Sequence, residues 1–266
     1  MSDRLVDIYR HRYLLRGFVR TDLRNRYGAS FLGFFWSVIH PLLLVLLYTF
    51  VFGYILDINV GGNAGPKNYG LFLFAGMLPW LAISDAIHRS SQVFLENRDL
   101  VKQVNFPKFL MPMRCVIGAF LHELIAMAVY VPVLVIVGHI VPSGIGVGLL
   151  IAILPLQLMF TLGITLFVSA VSVFYKDARE MIGAVLTLWF FGTPIVFPMS
   201  LVPEKVVYLF YLNPASWLIN AYRAALLGDE MPEPLGFLYF SLAPLLMLVV
   251  GWAWFRRLSR DFADLI

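Results

Sequence analysis

Charged residues are spaced so unevenly along the chain that the uncharged runs between them outline its elements. A helix rising about 1.5 Å per residue crosses the ~30 Å hydrocarbon core of a bilayer with about 20 apolar residues. Residues 27–56 contain no Asp, Glu, Lys or Arg, which predicts a first span near 33–56. Residues 68–84 are apolar and the pattern continues past Asp85, predicting a second near 69–91. From Leu124 to Tyr175 there are 52 residues without a formal charge, too many for one helix. The sequence PSGIG at 142–146 breaks that run with residues that end helices, giving a hairpin of spans near 113–139 and 145–172. Residues 181–203 hold a fifth span, near 181–198, and 234–255 a sixth.

The stretch VVYLFYLNPASWLINAY at 206–222 is a seventh candidate, and its status sets the topology. Its middle is Asn213-Pro214, where proline removes a backbone donor and turns the preceding residue away from helix. Charge supplies an independent criterion. With six spans and an inside N-terminus, 17 basic residues lie inside and three outside, the latter being Lys67, Lys205 and Arg223. A seventh span would move Arg256, Arg257 and Arg260 outside, against the positive-inside rule. Residues 200–232 therefore read as two short helices that dip into the outer leaflet without crossing. Non-helical backbone at that depth requires protein or a water-filled cavity around it. The expected fold is an all-α integral membrane protein: one domain over 1–266, six transmembrane helices, both termini cytoplasmic, a cytoplasmic interface helix within 1–30, and re-entrant helices on the outer side between spans five and six.

Composition agrees. The chain is 60% hydrophobic and 14% charged, against about 25% charged in soluble domains, so it could not coat a soluble surface. The single cysteine, Cys115, excludes an intrachain disulfide framework and a cysteine-based zinc site. Seven arginines precede the first apolar run, a start too long and too charged for a cleavable signal peptide, so the first span is expected to be retained.

Within the N-terminal helix, Arg16, Arg20 and Arg24 fall on one i, i+4 row beside Val19, Leu23 and Tyr27. This is either ordinary positive-inside anchoring or a cationic entrance for an anionic lipid head group. The segment SSQVFLENRDLVKQVNFPKFLMPMR, 90–114, is oversized for a connector and mixes both charge signs with apolar residues. It reads as a helix docking on a cytoplasmic partner or as a surface helix without one. Asp85, His88, Arg89, His122, Glu123, His40 and His139 lie within spans, where ionisable groups are expensive and become functional candidates. Structural pairing is the plainer account: Asp85 stands four residues before Arg89, and Glu123 can satisfy a neighbouring helix. His122-Glu123 lacks the second histidine of a zincin, since position 126 is Ala126, and no metal site is supported. The dipeptide Gly-Lys does not occur, so no Walker-type phosphate loop is present. If cargo moves uphill with ATP, another chain must hold the nucleotide. Aromatics crowd the first and fifth spans, where most serve as interfacial belts or packing and a minority could face a pathway.

Several stretches together resemble the polysaccharide-export permeases of the ABC-2 class, O-antigen exporters above all. TDLRNRYGASFLGFFWSVIHPLL at 21–43 is similar to the family's entry to its first span. LVKQVNFPKFLMP at 100–112 and FYKDAREM at 174–181 are similar to its cytoplasmic loops, and TPIVFP with LNPASWLINAYRAALL, at 193–198 and 212–227, to its outer re-entrant region. The resemblance implies a homodimer with two copies of a separate ATPase subunit, ATP and Mg being held there and no cofactor in this chain. It implies a coupling helix at about 94–106 and export of a glycan attached to an undecaprenyl-pyrophosphate lipid across the inner membrane. No nucleic acid is expected as a partner.

On this reading Arg20, Arg24 and Arg26 meet the lipid pyrophosphate, and Glu96, Arg98, Asp99 and Lys102 serve coupling. Trp36, Tyr48 and Trp189 are glycan-facing aromatics, and Asn213 and Pro214 form the re-entrant hinge. The alternative is a membrane enzyme acting on a lipid-linked sugar with His88 or His122 as base, for which no catalytic constellation is visible.

Overall fold

The fold was analysed in a computed structural model that describes residues 11–28, 36–58, 66–104, 106–136, 144–175, 177–229, 234–260 and 262. These residues form ten α-helices and no strand. In chain order they are α1 (Arg12–Gly28), α2 (Trp36–Tyr48), α3 (Pro66–Ser90), α4 (Arg98–Gln103), α5 (Leu110–Ile136), α6 (Gly144–Phe174), α7 (Ala178–Phe191), α8 (Glu204–Leu212), α9 (Pro214–Leu227) and α10 (Pro234–Leu258). Helix α2 runs on as a π-helical segment, Thr49–Ile55.

Four helices are long and apolar enough to cross a membrane, through Tyr69–Ser90, Leu110–Ile136, Gly144–Phe174 and Gly236–Leu258. Each carries an internal proline, Pro79, Pro132, Pro155 or Pro244. Such prolines are tolerated in lipid because neighbouring helices meet the freed backbone groups. The uncharged runs thus place these four helices to within a few residues. The expected first span, 33–56, includes residues 33–35 outside the described part; its described portion is α2 and the π segment, whose apolar stretch Leu42–Ile55 is shorter than those of the four long helices.

Two elements are shorter than the apolar pattern predicts. Helix α7 stops at Phe191, and 192–198 turns away through Gly192, Pro194 and Pro198 rather than continuing as helix. The docking segment expected at 94–106 is helical only over Arg98–Gln103, after a series of hydrogen-bonded turns over 91–97. Between α8 and α9 the helix breaks at Asn213, as its Asn-Pro pair demands. Gly228 closes α9 in the left-handed conformation, φ 75°, which glycine adopts without steric cost.

Helix α3 is the central element: it packs on α5, α6, α7, α9 and the π segment, and its span is mostly buried inside the protein whereas the other three keep most of their surface outward. One core lies around the first half of α3, with Tyr69, Leu73, Met77, Tyr130, Ile153, Leu218, Ile219 and Tyr222. A second gathers Phe94, Phe106, Met111, Leu166, Phe255 and Phe262 near its far end. Helix α1 lies against α5 through Leu15, Phe18 and Asp22, with Phe18 edge-on to Phe106 at 5.7 Å between ring centroids.

Helices α6 and α10 cross in backbone contact. A Cβ on Gly251 would fall on the Gly163 carbonyl, and one on Gly163 would strike the Met247 backbone. Such small-residue crossings let membrane helices gain dispersion and backbone contacts that bulkier side chains prevent. Gly183, by contrast, has open space around it within the chain. Gly251→Ala is expected to lower stability by about 2 kcal/mol, the usual overpacking range. Gly148→Ala, at a helical site with no atom within 4 Å, should be neutral or slightly stabilising. Thermal unfolding of the two variants in the same detergent checks this contrast.

Candidate functional site

Where α7 ends, five successive carbonyls, Gly192 to Val196, would be left without helical partners, and backbone buried in the protein requires other donors for them. Each has one. Asn213 donates from Nδ2 to the Gly192 carbonyl at 3.0 Å, and the Ile195 amide to Thr193 at 2.7 Å. Arg223 donates from Nη1 to Pro194 at 2.8 Å and from Nη2 to Ile195 at 2.7 Å. The Tyr69 hydroxyl donates to Val196 at 2.6 Å. Apart from the Ile195 amide of the segment itself, the donors come from α3, from the α8–α9 junction and from α9, so the broken end of α7 is the point on which three elements converge.

Asn213 uses all its side-chain capacity there. Its Oδ1 accepts from the Trp189 indole at 3.0 Å and from the Ala215 amide at 3.1 Å, capping α9, while Nδ2 also donates to the Thr193 hydroxyl at 2.8 Å. The expected hinge residue and one of the expected glycan-facing aromatics are therefore direct partners. Trp189 stands edge-on to Trp80 at 5.3 Å, Trp80 lies 5.8 Å from Phe190, and Phe190 lies 6.1 Å from Tyr48. Tyr48 and Trp189 thus belong to one half-buried aromatic group formed by α2, α3 and α7. The side chain of Trp36 lies outside the described residues.

Arg223 is 2% exposed, its guanidinium lying 3.4 Å from the centre of the Phe72 ring. It reaches into space left by Gly76, whose Cβ would meet Nη2 at 2.8 Å. The sequence counted it only as one of three outer cations. The readable signal was an arginine flanked by the apolar stretches of LINAYRAALL, which membrane depth makes costly unless it turns inward.

At the other end of α3, Arg89 joins three helices. It donates from Nε to Asp85 at 3.0 Å, from Nη1 to Asp22 of α1, and from Nη2 to the Cys115 carbonyl of α5 at 2.7 Å. The Asp85–Arg89 pairing follows the i, i+4 expectation, whereas Asp22 is a partner that only the fold reveals. With Asp22 facing inward, Arg16, Arg20 and Arg24 stand exposed on the opposite side of α1. The side chain of Arg26 lies outside the described residues.

Glu96, Arg98, Asp99 and Lys102 are all exposed, on a segment held down by buried Val93, Phe94 and Val101. Asn97 donates to the Val93 carbonyl at 2.7 Å. The Gln92 amide bridges Glu96 at 3.2 Å and Arg179 at 3.3 Å, linking this segment to the start of α7. The result is a charged surface on an apolar footing. Among the described residues no group of His, Cys, Asp and Glu could hold a metal ion. His88 and His122 are half-buried, on different helices.

A chain of long apolar helices, with polar clasps at both ends of its central helix, has the build of an integral membrane protein. The sequence matches the ABC-2 type transporter family over residues 13–227, so the chain belongs to that family and is a multi-pass inner-membrane protein. It is 27% identical over 275 residues to the O-antigen export system permease protein RfbA of Myxococcus xanthus, covering 99% of each chain. It is 29% identical over 246 residues to a Klebsiella pneumoniae protein of the same description, covering 92% of each. The polysialic acid transport protein KpsM of Escherichia coli is 24% identical over 238 residues, 88% of this chain and 89% of its own.

Arg223→Ala removes the donors to Pro194 and Ile195 and should destabilise the protein by about 3 kcal/mol or more, since hydrogen bonds from charged groups contribute about 1.5–3 kcal/mol each. Arg223→Lys, a point charge that cannot fork across two carbonyls, should recover only part of the loss. Thermal unfolding in lipid nanodiscs would measure both.

Proposed function

We propose that this chain is the channel-forming subunit of an ATP-driven exporter that moves a lipid-linked polysaccharide, an O antigen on an undecaprenyl-pyrophosphate type carrier, from the cytoplasmic to the outer side of the inner membrane. The observation that carries this reading is the similarity to O-antigen export permeases, which covers 99% of this chain for one of them and 92% for another.

In the proposed arrangement two copies form a homodimer, each with six spans and cytoplasmic termini, α2 and α7 serving as the first and fifth. Two ATPase subunits hold ATP and Mg at the cytoplasmic face. Arg20 and Arg24, exposed on α1, together with Arg26, meet the anionic head group at the inner leaflet. The glycan then enters between the first and fifth spans of opposite protomers, past Trp36, Tyr48 and Trp189. Helix α4 and the turn before it, with Glu96, Arg98, Asp99 and Lys102 outward, sit in a groove of the ATPase and transmit its closure. Helices α8 and α9, hinged at Asn213-Pro214, shape the outer exit.

Two measurements test the reading. Deleting the gene should leave lipid-linked glycan on the cytoplasmic side, as fractionation and inner-leaflet labelling would show; a normal glycan distribution refutes the export role. In the assembled complex, charge reversal at Asp99 and Lys102 together should cut cargo-stimulated ATP hydrolysis by about tenfold, with the chain still present in the membrane. Such a loss corresponds to about 1.4 kcal/mol in activation free energy. Unchanged hydrolysis would remove α4 from the coupling route.

A further inference from the structure

Glu123 of α5, Gln157 of α6 and Tyr222 of α9 meet in the apolar core, none more than 3% exposed. The contacts close a ring: Gln157 Nε2 to Glu123 Oε2 at 2.6 Å, Tyr222 hydroxyl to Glu123 Oε1 at 2.6 Å, and Tyr222 hydroxyl to Gln157 Oε1 at 2.5 Å. A ring with three edges needs three hydrogens. The Gln157 amide directs one into it, and the Tyr222 hydroxyl has one. Since Gln157 Oε1 can only accept, Tyr222 must donate to it, and the tyrosine oxygen must then accept from Glu123 Oε1. Turning the Gln157 amide over reverses the circuit without changing the count: the amide donates to Tyr222, Tyr222 to Glu123 Oε1, and Glu123 Oε2 must donate to Gln157. Both orientations require the third hydrogen on glutamate.

We propose that the Glu123 carboxyl is un-ionised in the folded protein and supplies that third hydrogen, making an uncharged latch that fastens α9 to the α5–α6 hairpin. An ionised Glu123 would leave Tyr222 with one hydrogen for two acceptors at very short range, and two acceptor oxygens facing each other across it. It would also bury a carboxylate without a cation, one of the costliest placements in a protein. Arg223 is the cation next in sequence, but it donates to the Phe72, Pro194 and Ile195 carbonyls instead. Among the described residues, Tyr222 is the titratable group that touches the glutamate, and α6 contributes only the amide. The neighbouring residues Tyr222 and Arg223 therefore fasten α9 to different elements by different means, one neutral and one charged. The inference rests on this geometry and holds whatever cargo the chain moves.

The test is infrared spectroscopy of the full chain in lipid nanodiscs with carbonyl-13C glutamate, at neutral pH where exposed carboxyls are ionised. The wild type should show the carbonyl stretch of a neutral carboxylic acid, and Glu123→Gln should lack it. A wild-type spectrum with carboxylate bands alone overturns the proposal, and this measurement needs no variant to fold. Thermal unfolding supplies a second readout. Glu123→Gln keeps one donor and one acceptor in the ring and should leave Tm unchanged, whereas Glu123→Ala and Tyr222→Phe each break it and should lower Tm by several degrees. A Glu123→Gln protein as unstable as Glu123→Ala would show that the charge, not the hydrogen, is what the site requires.

Discussion

The constraint on which the rest of the structure depends is that a backbone leaving helical geometry inside lipid must find its hydrogen bonds within the protein. Helix α7 breaks at Gly192, and the carbonyls from Gly192 to Val196 are met by Asn213, Ile195, Arg223 and Tyr69. The need runs both ways. A guanidinium that is almost wholly buried requires acceptors, and a helix would have kept those carbonyls for itself. The irregular segment and the buried arginine thus make each other admissible, and their pairing sets where α9 sits against α3.

The two arginines at the ends of α3 solve the same desolvation problem in different ways. Arg89 remains partly exposed and faces two carboxylates, Asp85 and Asp22, beside one carbonyl. Its clasp is ionic and only partly buried. Arg223 hydrogen-bonds neutral acceptors beside the Phe72 ring, with Asp229 as the carboxylate in electrostatic reach. No carboxylate hydrogen-bonds it among the described residues, and its fit relies on direction: two forked N–H groups onto successive carbonyls. Breaking the first loosens α1 from α3; breaking the second strands polar atoms in the core.

What was legible in the sequence follows the same physics. The four long helices could be read because their signal is the absence of charge over about 20 residues, and the break at Asn213-Pro214 because proline acts locally. Asp85–Arg89 was readable because i, i+4 neighbours meet on any helix. Asp22 was not, being 67 residues away from Arg89. Gln157 drew no notice as a neutral amide in an apolar run, and Tyr222 read as one more aromatic. Their roles arise from a three-helix meeting that no local pattern encodes. The early end of α7 had a signal in Gly192, Pro194 and Pro198, but hydropathy continues smoothly across them and conceals it.

These clasps also decide how movement can travel through the subunit. Helix α3 holds α1 at one end through Arg89 and α9 at the other through Arg223, and it is the most enclosed of the four long apolar helices. The exposed α4 segment follows α3 directly and is seated on Val93 and Phe94 of the second core. In the exporter proposed here, a push on α4 reaches α3 before any other long helix. Because α3 is fixed to the surface helix and to the outer segment, such a push cannot move one end alone. On that proposal displacement travels along the central helix as a body and passes to the end of α7, which Tyr69 ties to α3, while α2 and α7 keep apolar faces turned outward.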